Sequence, residues 1–208
     1  MFEAYKRLTN SVVTRVNRVR MPNKRTRDAI TPKHIQAQFI AEVQYAASQP
    51  FVLAPMAEIS QRYANNRILA VSTGVRLTNV TDEDIGVFVL NKDVGFTDVP
   101  PPAHYYLHEY IYTHTPSKAV LLCHPLNVYK TWRRGTMPDF SLLPGFEEKI
   151  GEVSVCEMDQ LEGVVAYHRL ALVPAIGMFS HAPSLFDAIS QVKLLEWVCA
   201  LMDVPAAG

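Results

Sequence analysis

The sequence predicts an α/β protein in which helices pack against a sheet of short strands. Short β-rich runs predict strands at residues 51–55, 68–72, 85–90, 118–123, 164–166 and 170–179. Apolar residues at helical spacing predict helices at residues 35–48 and 184–202, which flank these strands. With 49% hydrophobic residues in a chain of 208, a sizeable single core can be buried.

Residues 1–33 form a predicted basic arm, and residues 34–208 form the predicted domain. The arm has nine Lys or Arg against two acidic residues, about +7, so the neutral chain leaves the domain at about −7. Phe2, Tyr5 and Leu8 begin an apolar stripe that predicts an amphipathic helix. We expect the arm to pack on the acidic body of a neighbouring subunit. A membrane surface, nucleic acid or organelle targeting are the alternatives, but no nucleic acid partner is expected because no second basic and aromatic surface accompanies the arm.

The segment at residues 99–129 carries the candidate chemistry. Three prolines at residues 100–102 fix φ and withhold backbone donors, so they mark a boundary. After them His104, His108 and Tyr112 recur at four-residue intervals, which predicts one face of a helix over residues 103–114. The following apolar run predicts a buried strand with His124 at its end. Side chains at strand ends can reach a cleft, so His124 is a candidate site residue, although a structural histidine is the commoner case.

The order of these segments resembles the class II aldolase/adducin family over residues 35–202. In that family a P-S-S-E-x-x-x-H segment precedes a strand ending in His-x-His, and a His-Gly pair follows later. Here residues 101–104 occupy the P-S-S-E positions, while His108 and Tyr112 keep the helix histidine and tyrosine. The resemblance implies a central, largely antiparallel β-sheet between helices in α/β/α layers. It also implies a homotetramer with clefts at subunit boundaries.

The resemblance further implies a divalent metal, usually zinc, held by three histidines, with the glutamate of the P-S-S-E segment as acid/base. Leu122 and Ile176 stand at two of the three histidine positions, and His104 stands at the glutamate position. His124 is the remaining ligand, whereas a catalytic zinc requires three protein donors. One hypothesis is a rebuilt metal site of His104, His124 and Glu58. Another is metal-free acid/base chemistry by His104 and Glu58.

The positions that bind phosphate in the family are also altered. Its G-N-x-S-x-R turn corresponds to residues 57–62, so Glu58 replaces an amide donor while Ser60 is kept. A carboxylate repels phosphate, and we therefore do not expect a sugar phosphate. A Glu58 that simply faces solvent is the alternative. The predicted substrate-binding residues are Glu58, Ser60, Thr73, Gly74 and His108.

Two functional classes follow from these patterns. The first is a lyase or epimerase acting on a small carbonyl or sugar-like compound through a degenerate or rebuilt metal site, with His104 and His124 as catalytic residues. The second is a non-catalytic oligomeric protein that keeps the scaffold for binding or assembly. Three widely spaced cysteines without a CxxC pair predict reduced thiols and a cytoplasmic protein. No apolar run reaches the roughly 18 residues of a transmembrane helix.

Overall fold

The computed structural model describes residues 31–53, 56–91, 99–143 and 145–204, without the side chain at position 147. The predicted helix of the basic arm falls at residues 1–30, outside the described residues, and stays a prediction. Within the described ranges, no helix combines the length and apolar character needed to cross a membrane.

The strands of the described chain form one seven-stranded sheet. Its members are β1 (Glu58–Ala64), β2 (Arg67–Val71), β3 (Ile85–Val89), β4 (Ala119–Cys123), β5 (Val153–Val155), β6 (Leu170–Val173) and β7 (Gly177–Ala182). The order across the sheet is β3-β2-β1-β4-β7-β6-β5. Neighbouring strands are antiparallel except for β5 and β6, which are parallel. The predicted central, largely antiparallel sheet is therefore confirmed.

Helices cover both faces of the sheet. They are α1 (Lys33–Ala47), α2 (Tyr105–His114), α3 (Leu126–Arg133), α4 (Phe146–Ile150), α5 (Leu161–Val165) and α6 (Leu185–Leu201). Apolar residues of α1, α3, α4 and α6 join one core cluster, and those of α2 and α5 join a second. Along β4, Leu121 belongs to the first cluster while Val120 and Leu122 belong to the second. Because strand side chains alternate between faces, the two clusters lie on opposite sides of the sheet, which gives the α/β/α layers.

Three strand predictions are wrong in detail. Residues 51–53 form a turn and coil, and the strand of this region is β1 further along the chain. Residues 164–166 lie at the end of helix α5, because a short apolar run fits a buried helix as well as a strand. The run at residues 170–179 is two strands, β6 and β7. A turn separates them, in which the backbone N–H of Ile176 donates to the carbonyl of Val173 at 2.9 Å.

Candidate functional site

Strand β1 directs a row of polar side chains towards helix α2. Glu58, Ser60 and Arg62 alternate along the strand, and each contacts a residue of α2 or of its N-cap. Ile59, which lies between the first two, packs into the core cluster on the opposite face of the sheet. The site therefore rests on a strand buried by its neighbours β2 and β4, rather than on the turn that the sequence resemblance implied.

Helix α2 presents the matching partners at helical spacing. His104 is the N-cap residue, His108 lies one turn further on and Tyr112 follows after another turn. One helical turn advances about 5.4 Å and two strand residues advance about 7 Å, so the two rows stay roughly in step over three pairs. The predicted helix with these three residues on one face is confirmed.

Glu58 and His104 form the first of these pairs. Nδ1 of His104 donates to Oε1 of Glu58 at 2.8 Å. The backbone N–H of His104 also donates to the same carboxylate, at 3.1 Å to Oε2 and 3.3 Å to Oε1. Glu58 is only 8% exposed, so the alternative of a solvent-facing glutamate is ruled out.

His108 lies on the other side of the Glu58 carboxylate. Its Nε2 is 3.3 Å from Oε2 of Glu58, which is ion-pair distance without the geometry of a hydrogen bond. Burial alone would raise the pKa of the Glu58 carboxyl, but the interactions with His104 and His108 outweigh burial and hold its pKa at about 2, below the ordinary 4.5. Glu58 is therefore an ionised acceptor over the whole physiological pH range.

A second set of contacts continues along the same two elements. Ser60 Oγ lies 2.6 Å from Nδ1 of His108 and 2.8 Å from the hydroxyl of Tyr112. The guanidinium of Arg62 donates to the backbone carbonyl of Tyr112 and lies 5.1 Å from the centre of its ring. Burial raises the pKa of Tyr112 above its ordinary value, so the hydroxyl keeps its proton and must donate it to a neighbour.

His124 lies at the end of β4, as predicted. Its backbone N–H donates to the carbonyl of Phe51 at 3.0 Å, and its ring Nε2 donates to the carbonyl of Ile176 at 2.8 Å. Burial lowers the pKa of His124, so the ring is neutral at pH 7. Because Nε2 carries the proton, Nδ1 is a bare acceptor, and it has no partner among the described residues.

The two positions at which the family resemblance implies histidine ligands carry apolar side chains in a tight arrangement. Leu122 is opposite Glu58 in the β1–β4 register and is 1% exposed. Ile176 packs against the second core cluster. A Cβ on Gly177 would lie 2.6 Å from the Leu122 side chain, 2.9 Å from the backbone carbonyl oxygen of Cys123, which cannot move aside, and 3.3 Å from Nε2 of His124. Glycine is therefore required at position 177, where the chain also has φ of +150°.

These residues do not fit the zinc centre that the family resemblance implies. Among the described residues, no group of three or more His, Cys, Asp or Glu side chains is arranged to hold a metal ion. Glu58 already accepts from His104, and Nε2 of His124 is occupied by a carbonyl. The rebuilt site of His104, His124 and Glu58 would require these contacts to break, and metal ligation by His124 and His104 stays a prediction.

Thr73 and Gly74 lie beside the segment that leads into α2. The hydroxyl of Thr73 donates to the carbonyl of Pro101 at 3.2 Å, and Gly74 has φ of +79°. Both residues are exposed. Thr73 thus contacts the proline segment that precedes α2, and the assignment of both residues to substrate binding stays a prediction.

The arrangement matches a known family in sequence and in fold. The chain matches the family model for the class II aldolase and adducin N-terminal domain over residues 37–202. The protein therefore belongs to the class II aldolase/adducin family. No curated protein sequence matches the chain significantly.

Several solved structures have the same fold as this protein. YgbL from Klebsiella pneumoniae is 18% identical, with a TM-score of 0.70 over 83% of this chain and 89% of that one. L-fuculose-1-phosphate aldolase from Thermus thermophilus is 19% identical, with a TM-score of 0.66 over 80% and 92%. A sugar-phosphate aldolase from Thermotoga maritima is 16% identical, with a TM-score of 0.68 over 80% and 94%. At these identities the similarity shows the fold alone.

The sequence pattern predicts the helical face of α2 and the position of His124 at a strand end, but not the polar row along β1. It places Glu58 in a turn and does not indicate the contacts of Ser60 with His108 or of Arg62 with Tyr112. The available signal was the alternation of Glu58, Ser60 and Arg62, which has the period of a strand.

Proposed function

We propose that this class II aldolase/adducin-family protein catalyses proton transfer on a small hydroxylated carbonyl compound, as a lyase or an epimerase, without a bound metal. The observation that carries the proposal is the buried Glu58 carboxylate bonded to both the ring and the backbone N–H of His104. A carboxylate fixed against one nitrogen of an imidazole leaves the other nitrogen to exchange protons with a substrate.

His104 has the properties of a general base in this arrangement. Its Nδ1–H is donated to Glu58, so Nε2 of the neutral ring carries a lone pair. The side chain is 13% exposed, which leaves part of it within reach of a small molecule. When Nε2 takes a proton, the adjacent carboxylate compensates the positive charge of the ring. A positioned base of this kind accelerates proton transfer by about 10²- to 10⁴-fold.

His124 is the second proposed catalytic group. It lies two residues beyond Leu122, which is the partner of Glu58 in the β1–β4 register. Burial is the largest influence on its pKa, and Glu58 and His104 also act on it. Its Nδ1 is a buried acceptor without a partner among the described residues, and a substrate hydroxyl inserted beside it would satisfy it. Two acceptor nitrogens beside a carboxylate favour a neutral, hydroxyl-bearing ligand over a phosphate. The sugar phosphates in the names of the Thermus and Thermotoga aldolases are therefore not the proposed substrates.

A non-catalytic binding or scaffold protein is the alternative, and the saturation of the polar cluster favours it. Glu58, Ser60 and Tyr112 are all bonded within the cluster. Buried polar networks of this kind also occur for structural reasons alone. The two proposals differ in whether His104 exchanges a proton with a bound compound.

Deuterium exchange tests the proposal. The full chain is incubated in D₂O with dihydroxyacetone, glycolaldehyde or glyceraldehyde, in parallel samples with and without EDTA. Loss of the C–H signal next to the carbonyl is followed by proton NMR. We expect exchange above the buffer rate with at least one compound and a loss of about 100-fold in His104→Gln. His114→Gln is the matched control, because His114 lies on the same helix and bonds only the carbonyl of Tyr110 in the contacts described. No exchange with any compound, or exchange abolished by EDTA, would contradict the proposal.

A further inference from the structure

The protons of the Ser60, His108 and Tyr112 cluster can be assigned from its contacts. Tyr112 is 2% exposed, and its hydroxyl keeps its proton. The oxygen of this hydroxyl lies 2.8 Å from Ser60 Oγ. If Ser60 instead donated to Tyr112, the tyrosine proton would be left buried without an acceptor among the described contacts. Tyr112 therefore donates to Ser60.

The direction of the next hydrogen bond follows from the first. Ser60 accepts the hydrogen bond from Tyr112, so its own hydroxyl donates to Nδ1 of His108 at 2.6 Å. A ring nitrogen that accepts a hydrogen bond carries no proton, so the proton of a neutral His108 is on Nε2. That nitrogen faces the Glu58 carboxylate at 3.3 Å, where a donor is attracted and a lone pair would be repelled.

We propose that Ser60 and Tyr112 are positioning residues that hold His108 as the neutral tautomer with its proton on Nε2, the nitrogen that lies beside the Glu58 carboxylate. His108 then attracts the Glu58 carboxylate electrostatically but leaves the hydrogen bonds between Glu58 and His104 in place. The orientation of His104 is therefore kept. The titratable groups in contact with this arrangement are Glu58 and Arg62 on β1, His104 across the carboxylate and Tyr112 on α2. The ring of Phe179 on β7 packs edge-on against His108 at 6.3 Å. The role in catalysis rests on the proposed function, whereas the tautomer does not.

A second serine and histidine pair provides an internal control. Ser117 Oγ lies 2.8 Å from Nδ1 of His181, whose Nε2 donates to the carbonyl of His168 at 3.0 Å. Burial lowers the pKa of His181, so it is also a neutral ring that accepts at Nδ1. Ser117 and His181 are outside the Glu58 cluster and share none of the contacts described for it.

Long-range proton–nitrogen NMR of the ¹⁵N-histidine-labelled full chain at pH 7 tests the proposal, because it identifies the tautomer of each ring. We expect the Nε2–H form for His108 in the wild type. Ser60→Ala should shift the tautomer ratio of His108 about fivefold towards forms with a proton on Nδ1, because one hydrogen bond to Nδ1, worth about 1 kcal/mol, is lost. Ser117→Ala should shift the tautomer ratio of His181 and leave the tautomer ratio of His108 unchanged.

Two results would overturn the proposal. One is a proton on Nδ1 of His108 in the wild type, and the other is an unchanged His108 ratio in Ser60→Ala. If Ser60→Ala does not fold, Tyr112→Phe removes only one hydroxyl, and it should move His108 in the same direction by a smaller factor. The predicted tautomers together with an absence of deuterium exchange would refute the proposed function but not this one. Deuterium exchange together with a proton on Nδ1 of His108 would refute this proposal but not the proposed function.

Discussion

Replacing Glu58 by glutamine measures how strongly the two histidines hold the carboxylate. Glutamine has the shape of a protonated glutamate, so it lacks the charge that His104 and His108 stabilise. The pKa of Glu58 falls from 4.5 to about 2 on folding. A difference of 2.5 units corresponds to about 3 kcal/mol of stability at pH 7. We therefore expect Glu58→Gln to unfold more easily by about 3 kcal/mol at that pH.

The sign of the pH dependence follows from the lowered pKa. The carboxylate stabilises the fold fully above about pH 4.5, and this contribution is lost as the pH falls towards 2. By pH 3 about 2 kcal/mol is lost, so the difference between wild type and Glu58→Gln shrinks to about 1 kcal/mol. Urea unfolding followed by tryptophan fluorescence at pH 7 and pH 3 gives both values.

Glu196→Gln is the control for this experiment. Burial raises the pKa of Glu196, whose carboxylate accepts from the backbone N–H of Asn127 at 3.0 Å. Its ionised form is therefore disfavoured by folding, and the difference between wild type and Glu196→Gln should change with pH in the opposite direction. An equal stability difference at pH 7 and pH 3 for Glu58→Gln would refute the account of the Glu58 site.

Three further predictions concern packing, metal and assembly. Gly177→Ala should lower the free energy of unfolding in urea by about 2–3 kcal/mol, because its Cβ would lie 2.6 Å from Leu122. The control Gly163→Ala, on the open face of α5, should be neutral or stabilising. Equal effects of the two substitutions would contradict this prediction. The double variant Leu122→His with Ile176→His should bind zinc in calorimetry, and failure of the folded double variant to bind would count against the family register. If the arm packs between subunits, deleting residues 1–31 should lower the number of subunits per particle, as obtained from the mass in light scattering. An unchanged number of subunits would contradict that hypothesis.

The fold was predictable because its helices and most of its strands carry regular apolar patterns. The face of α2 could be predicted for the same reason, since His104, His108 and Tyr112 recur with the helical period. Strand β1 was not predictable in this way. Its buried residues on the α2 side include Glu58 and Ser60, which reverses the usual pattern of apolar residues on a buried face.

The sequence predicts which residues belong to the candidate site but not how they are arranged. The register of the family motifs, which requires only the sequence, predicts that Leu122 and Ile176 stand at two ligand positions. The contact of Glu58 with His104 joins residues 46 positions apart and depends on how α2 crosses β1. Likewise, which ring nitrogen of His124 carries the proton depends on the carbonyl of Ile176, a backbone group that no side-chain pattern reveals.

The metal content of the purified full chain tests the central claim most directly. If Glu58 and His104 form a metal-free acid/base pair, mass spectrometry after dialysis should find no stoichiometric zinc, manganese or iron, and EDTA should leave deuterium exchange unchanged. One metal ion per chain that is lost in His124→Ala, but retained in the His114→Ala control, would contradict the claim.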